Sequence, residues 1–257
     1  MRPNASALRI LSITLIAGVF ALIWGWPAGA QGTSNLTWSS DLGLKSLADV
    51  PNRLHGPVFA KDQPQTALKV NLTNGNASRE IGNCDDYLSG AAAGFHPADN
   101  LSNKWAASFV RQCYVLRDLQ HAHAAGSANS FGWSKDSLSQ LPPLLVAGSR
   151  EVTDAAEKAE AQGLSWQQFD PGLKVTDVSR DELGAEDSRL SYSLEILARG
   201  DLDGDGNGDV AVYGCAVGKE STWFQCKYFV FSPNTQGKLI RLTEDRAPFR
   251  MKAKIPN

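Results

Sequence analysis

The sequence predicts an α+β protein: a mainly helical region over residues 31–174, packed on a C-terminal antiparallel β-meander over residues 175–257. Three observations predict it. Apolar residues recur at three- and four-residue spacing in the first part, the signature of a helix with one buried face. Period-two alternation takes over from about Val175. The later apolar runs are separated by short turn-rich connections, which join neighbouring antiparallel strands.

Residues 1–30 stand apart. Arg2 and Arg9 precede the apolar run ILSITLIAGVFALIW, and small residues at Ala28 and Ala30 suit cleavage before Gln31. This is the pattern of a secretory signal peptide. The alternative is an uncleaved membrane anchor, but the run is short against the ~20 residues that span a bilayer. No cysteine follows it directly, which argues against a lipoprotein anchor, and no second long apolar run appears. The expected location is therefore exported, periplasmic or secreted, with no membrane association after cleavage. Removing Arg2 and Arg9 takes the formal net charge from −2 to −4. That balance gives no electrostatic footprint for nucleic acid.

Residues 31 to about 65 read as irregular, punctuated by Pro51, Pro57 and Pro64, with one short helix expected at DLGLKSLADV. Asn74-Gly75 signals a hairpin turn, with Leu68, Val70 and Leu72 alternating before it and a weaker pattern after it. The clearest helix is NLSNKWAASFVRQCYVLRDLQHAHAA, capped by Asn100 or Ser102. Trp105, Phe109, Cys113, Leu116 and Gln120 share one of its faces. LPPLLV breaks the chain. SREVTDAAEKAEAQG then reads as a second helix, capped by Ser149 and closed by Gly163, with Glu151, Glu157, Lys158 and Glu160 on a solvated face.

Strands follow: RLSYSLEILARG, DVAVYGCAV, TWFQCKYFVFS and GKLIRLT. The four cysteines, Cys84, Cys113, Cys215 and Cys226, all lie after the export segment, so disulfides are expected. A hairpin turn centred between Glu220 and Ser221 places Cys215 opposite Cys226. The same register opposes Tyr213 to Tyr228, Val217 to Phe224, Ala211 to Val230, Val212 to Phe229 and Val210 to Phe231. Matched cross-strand pairs of this kind stabilise a hairpin. The expected bridges are Cys215–Cys226 and, by elimination, Cys84–Cys113.

The densest chemistry lies in RGDLDGDGNGDVAVYG. Asp201, Asp203, Asp205, Asn207 and Asp209 fall on alternate positions, with glycines between the last four. With Asp201 as position 1, carboxylates stand at 1, 3, 5 and 9, Asn207 at 7 and Gly206 at 6. Calcium takes six to eight oxygens at flexible geometry. Alternate side chains on a tightly turned loop converge, and Gly206 permits a positive φ. Without a cation, carboxylates this close repel one another or rise in pKa. An EF-hand would carry a bidentate Glu at position 12, where this chain has Val212, and the flanks are strand-like rather than helical. The last ligands must come from water or a remote side chain. The alternative is a plain Asp/Gly-rich turn. If an ion binds, a structural role in fixing the hairpin is expected over a catalytic or sensory one.

The stretch from Gly200 to Val212 resembles the calcium loop of FG-GAP and VCBS-type repeats. The matching residues are Gly200, Asp201, Asp203, Gly204, Asp205, Gly206, Asp209, Val210, Ala211 and Val212. The resemblance implies that the aspartates bind calcium and that the following run is a strand. The motif occurs once, so it carries over a metal site and a strand–loop–strand unit, but neither a propeller nor an adhesion role.

Elsewhere the sequence offers no zinc-protease helix, P-loop or nucleophile elbow. His121 and His123 stand two apart on a helix and diverge. Asp85-Asp86 reads as a helix start, and Glu195 as part of a solvated strand face. Trp133, Trp166 and Trp223 either plug core edges or line a sugar- or peptide-binding surface. The function expected is an exported calcium-binding protein, a non-enzymatic module for a protein or glycan partner. The rivals are a periplasmic inhibitor or immunity-type protein and an envelope-polymer hydrolase whose site the calcium shapes. No catalytic residue is assigned.

Overall fold

The computed structural model describes residues 35–61, 63–126, 131–143, 150–221, 223–234 and 238–245, all within one compact unit, Ser34–Asn257. The expected signal segment, residues 1–30, and the expected helix cap Ser149 lie outside the described residues. In chain order the elements are β1 (Thr37–Trp38), α1 (Val50–His55), β2 (Phe59–Ala60), β3 (Gln63–Ala67), β4 (Val70–Thr73), β5 (Ser78–Ile81), α2 (Cys84–Ala92), β6 (His96–Pro97), α3 (Asn100–Leu119), α4 (Arg150–Ala161), α5 (Trp166–Phe169), β7 (Lys174–Val178), β8 (Glu182–Glu186), β9 (Leu190–Gly200), β10 (Asp209–Gly218), β11 (Phe224–Pro233) and β12 (Leu239–Asp245). The protein thus combines helices with an antiparallel sheet.

The short helix expected at residues 41–50 is displaced. Two 3₁₀ turns, Ser40–Leu42 and Leu47–Asp49, occupy that stretch, and the α-helix begins at Val50. Pro51 sits in its first turn, where a missing N–H costs nothing. At α3, Asp99 rather than Asn100 or Ser102 is the cap, accepting from Ser102 N at 2.7 Å. The Asn74-Gly75 signal does mark a turn: β4 and β5 pair from Val70↔Ile81 to Thr73↔Ser78 around it.

The main sheet runs β12-β11-β10-β9-β8-β7, antiparallel throughout, and β1 joins β9 beyond the end of β8. β10 and β11 adopt the register read from the sequence, from Val210↔Phe231 through Cys215↔Cys226 to Val217↔Phe224. The disulfides join Cys215 to Cys226 and Cys84 to Cys113, and among the described residues no cysteine is free. Two disulfides point to an oxidising environment. No helix among the described residues is long and apolar enough to cross a membrane.

Both faces of the sheet are covered, which explains its nearly unbroken apolar runs. Tyr228, Val230 and Ala211 join one core with Phe109, Val110 and Leu116 of α3, Leu54 of α1 and Tyr87 of α2. Tyr114 stacks on Tyr228, ring centroids 5.8 Å apart. Phe229, Phe231, Val210 and Val212 join a second core with Trp133, Leu138 and Trp166. A bulge between Ala211 and Val212 leaves Leu197 as the extra residue of β9. Below it Tyr192, Leu194 and Ile196 face the second core; above it Leu197 and Ala198 both enter the first. An extra residue reverses which face a strand's side chains serve.

Candidate metal centre

The β9–β10 connection runs from Gly200 to Asp209, and at Gly200 the neighbours leave little room. A Cβ on Gly200 would lie 2.3 Å from Leu36 Cδ1 and 3.2 Å from the His123 carbonyl, so a side chain there would push Leu36 aside and press on the His123 backbone. Gly206, with φ +84°, supplies the left-handed turn expected of it.

The side chains then organise the loop. Buried Asp201 accepts from Gly204 N through Oδ1 at 2.7 Å and from Gly206 N through Oδ2 at 3.0 Å. Asp209, fully buried, accepts from Leu202 N through Oδ2 at 2.9 Å. Asp203 is exposed and accepts from Asp205 N at 3.1 Å. One carboxylate oxygen from each of Asp201, Asp203 and Asp209 lies within 4.8 Å of the others. These three form the acidic cluster. Asp205 and Asn207 are bonded to each other instead: Asp205 accepts from Asn207 N at 2.7 Å and from its Nδ2 at 2.8 Å. Those bonds hold the Asp205 carboxyl below its ordinary pKa. Asp209 is pushed the other way, up to about 6. Burial is the main cause, and the charges of Asp203 and Asp205 add to it against the hydrogen bonds from Leu202 and Ser232.

This donor set fits a hard divalent cation. All three side chains are carboxylates, the ligands of calcium, magnesium or manganese rather than of softer metals. Asp209 is the most informative member. A buried carboxylate facing like charge is unfavourable as an anion, and a cation between the three reverses that balance. Position 12 contributes nothing: Val212 is fully buried in the second core.

A partner of the loop had no local signature. Residues 123–126, beyond the end of α3, run beside it: His123 N donates to Asp201 O at 2.9 Å, Asp201 N to His123 O at 3.1 Å, and Gly126 N to Gly206 O at 3.0 Å. His123 meets the loop through its backbone. Ser232 on β11, bonded to Asp209, is the other contributor that the sequence pattern did not mark.

The remaining candidates lie elsewhere. Asp85 and Asp86 occupy the first turn of α2 behind the Asn83 cap, as a helix start, with His55 paired to Asp85. Glu195 does not sit on a solvated face. Its side chain is only 16% exposed and is ion-paired to Arg111 of α3. The polar side of β9 at that level faces the helix instead of water. Trp133 and Trp166 are buried in the second core, and Trp223 packs against it partly buried, the core-plugging role. No family model, curated protein or solved structure matches the chain.

Proposed function

We propose that this chain is an exported calcium-binding protein, a non-enzymatic binding or interaction module in which the ion is structural. The observation that carries the reading is the convergence of Asp201, Asp203 and Asp209 within 4.8 Å on a loop between paired strands. The FG-GAP-like spacing from Gly200 to Val212 favours calcium among the hard cations. Extracellular calcium is abundant enough for a loop lacking the bidentate Glu of an EF-hand, whose affinity falls toward the 10⁻⁴–10⁻³ M range of extracellular modules. The two disulfides and the N-terminal pattern support cleavage before Gln31 and a periplasmic or secreted location. On this reading the helical region and the meander work as one body, since α3 packs against β10 and β11 and the acidic loop is bonded to residues 123–126.

The non-enzymatic reading draws on the other carboxylates that are tightly bonded. Glu195 is engaged by Arg111 and Lys61. Asp187 accepts from Arg189 N, Leu190 N and the Tyr192 hydroxyl. Such groups serve architecture. Calorimetric titration of the protein from Gln31 with calcium chloride tests the proposal. One ion per chain, with magnesium weaker and binding lost in Asp203→Ala, is the expected result. Absence of calcium binding, or undiminished binding in the variant, would overturn it.

A further inference from the structure

At the end of the sheet away from the acidic loop, two hairpin turns are tied to each other. Residues 187–189 join β8 to β9, and residues 219–223 join β10 to β11. Asp187 fixes the first turn, accepting from Arg189 N at 2.6 Å and from Leu190 N at 2.8 Å. The Arg189 carbonyl in turn accepts from Lys219 N at 3.0 Å. The second turn is closed by Gly218 N donating to Trp223 O at 2.9 Å and Trp223 N to Ser221 Oγ at 3.3 Å.

Between these turns lies a cavity of about 440 Å³. Its wall carries Leu190 and the indole of Trp223, both half-buried. Trp223 covers the second core with part of its surface and presents the rest to the cavity. Val217, next to Gly218 in the same wall's strand, is left 46% exposed, so the apolar surface continues past the cavity's rim. The two cations of the wall differ. Lys219 is held by Glu186, 2.8 Å away. Arg189 is exposed, and its backbone is bonded on both sides, yet among the described residues its guanidinium makes no hydrogen bond or ion pair, although Glu220 shares the wall.

A preformed cavity with an apolar wall and a few convergent polar groups is the usual form of a ligand site. An indole offers a flat apolar surface to the C–H face of a sugar ring, with a polar edge beside it. A guanidinium matches a carboxylate with two parallel hydrogen bonds. The hydroxyls of Ser188 and Ser221 stand in the same wall to meet sugar hydroxyls. We propose that this cavity binds a carboxylated pyranose, a hexuronate unit of an acidic glycan, with its ring on Trp223 and its carboxylate on Arg189. The proposal rests on the reading of the chain as a binding module and names the chemistry of its partner. The site is separate from the acidic loop, which lies at the other end of β10, ten residues or about 30 Å away.

The test is calorimetric titration at low salt, with millimolar calcium throughout. One probe is a hyaluronan tetrasaccharide, which alternates glucuronate with N-acetylglucosamine. The other is chitotetraose, built of N-acetylglucosamine alone and uncharged. The proteins are wild type, Arg189→Gln and Trp223→Ala. Wild type should bind the acidic probe, and chitotetraose about tenfold more weakly for want of the charge-assisted contact. Arg189→Gln should bind the acidic probe about tenfold more weakly and chitotetraose unchanged. Trp223→Ala should weaken both. Arg189 is exposed, so its variant keeps the fold and decides the matter alone if Trp223→Ala misfolds. No binding of the acidic probe to wild type, equal affinity for the two probes, or undiminished binding in Arg189→Gln would overturn the proposal. Neither variant touches the acidic loop, so a chain that binds calcium and no glycan loses this site alone. Recovery of the bound tetrasaccharide in shorter pieces would keep the site and overturn the non-enzymatic reading.

Discussion

Asp201 and Asp203 should separate the loop's two jobs, holding its own backbone and holding an ion. Asp203 is exposed and accepts one hydrogen bond, from Asp205 N. With chelator present, Asp203→Ala should change stability by less than about 0.5 kcal/mol, as exposed substitutions do. It also removes a charge that presses on buried Asp209. Asp201 is buried and accepts from both Gly204 N and Gly206 N. Asp201→Ala leaves those donors without their partner and should cost about 1–3 kcal/mol even in chelator. Calcium adds a separate quantity. At a free concentration one hundred times the dissociation constant, a ligand that binds only the folded state stabilises it by about 2.7 kcal/mol. In a domain of this size each kcal/mol moves the melting temperature by about 2–4 °C, so the wild type should rise by about 5–10 °C. Thermal unfolding followed by circular dichroism, with calcium and with chelator, reads all of this. The wild type should show the calcium rise and both variants should lack it, while only Asp201→Ala melts early in chelator. A calcium rise that survives in Asp203→Ala would refute the site, and Asp201→Ala melting with the wild type in chelator would refute the backbone role.

Further outcomes follow from the same geometry. Arg111→Ala leaves Glu195, 16% exposed at its side chain, with exposed Lys61 as its remaining cationic partner and should cost about 1–3 kcal/mol, measured as a fall in the urea midpoint at constant slope. Phe229→Ala empties the middle of the second core, where the ring stacks on Phe231 at 5.7 Å, and should cost about 3–5 kcal/mol in the same assay. Replacing Cys215 and Cys226 together by alanine opens a loop with sequence separation 11 and should cost about 3 kcal/mol by chain entropy. Burial would raise the Asp187 carboxyl, but hydrogen bonds from Arg189 N, Leu190 N and the Tyr192 hydroxyl bring it below its ordinary value. Its contribution is therefore complete above the unfolded value near 3.9 and is lost as pH falls through the lower folded value. Asp187→Asn should flatten the wild type's loss of melting temperature on acidification below about pH 4.

The β10–β11 hairpin was legible because its information is local. Two facing strands a few residues apart carry matched cysteines, tyrosines and aliphatic residues, and only one register satisfies them all. The loop was legible for the same reason: its clustered carboxylates lie within nine residues. The interior around α3 was not. Its stripe suggested one buried face, yet every residue from Phe109 to Leu116 is buried. Arg111 and Gln112 are among them, and they look solvated on paper. Their partners are remote: Glu195 and Asp41 for Arg111, the Phe59 carbonyl and Arg53 for Gln112. A polar residue on a helix can be read as buried only when its partner is known, and here the partners are brought together by tertiary packing. Glu195 was misread as solvated by the same mechanism. The β7–β8 hairpin falls within the stretch read as strands from about Val175, but its two strands do not stand out singly, because LysValThrAspVal and GluLeuGlyAlaGlu hold few apolar residues.

The acidic loop sits at a joint. On one side, Gly200 closes β9 against Leu36 and the His123 carbonyl, where a Cβ would push Leu36 aside. On the other, Asp209 opens β10 with its carboxyl fully buried and bonded back to Leu202 N. Between them the loop pairs with residues 123–126, which continue directly from α3. An ion drawing Asp201, Asp203 and Asp209 together would therefore fix two strand ends and the exit of the central helix at once. The bulge at Leu197 ties β9 into that junction, because Leu197 and Ala198 both enter the core that α3 shares. A cation here gains its stabilising effect from remote elements that are already packed, so its removal should loosen the helix exit and the strand ends before the disulfide-bridged part of the β10–β11 hairpin. Hydrogen exchange distinguishes this from general destabilisation. Chelator should speed exchange at Asp201, His123 and Gly126 while leaving Tyr213 and Tyr228 protected, and uniform acceleration across all five amides would count against the joint.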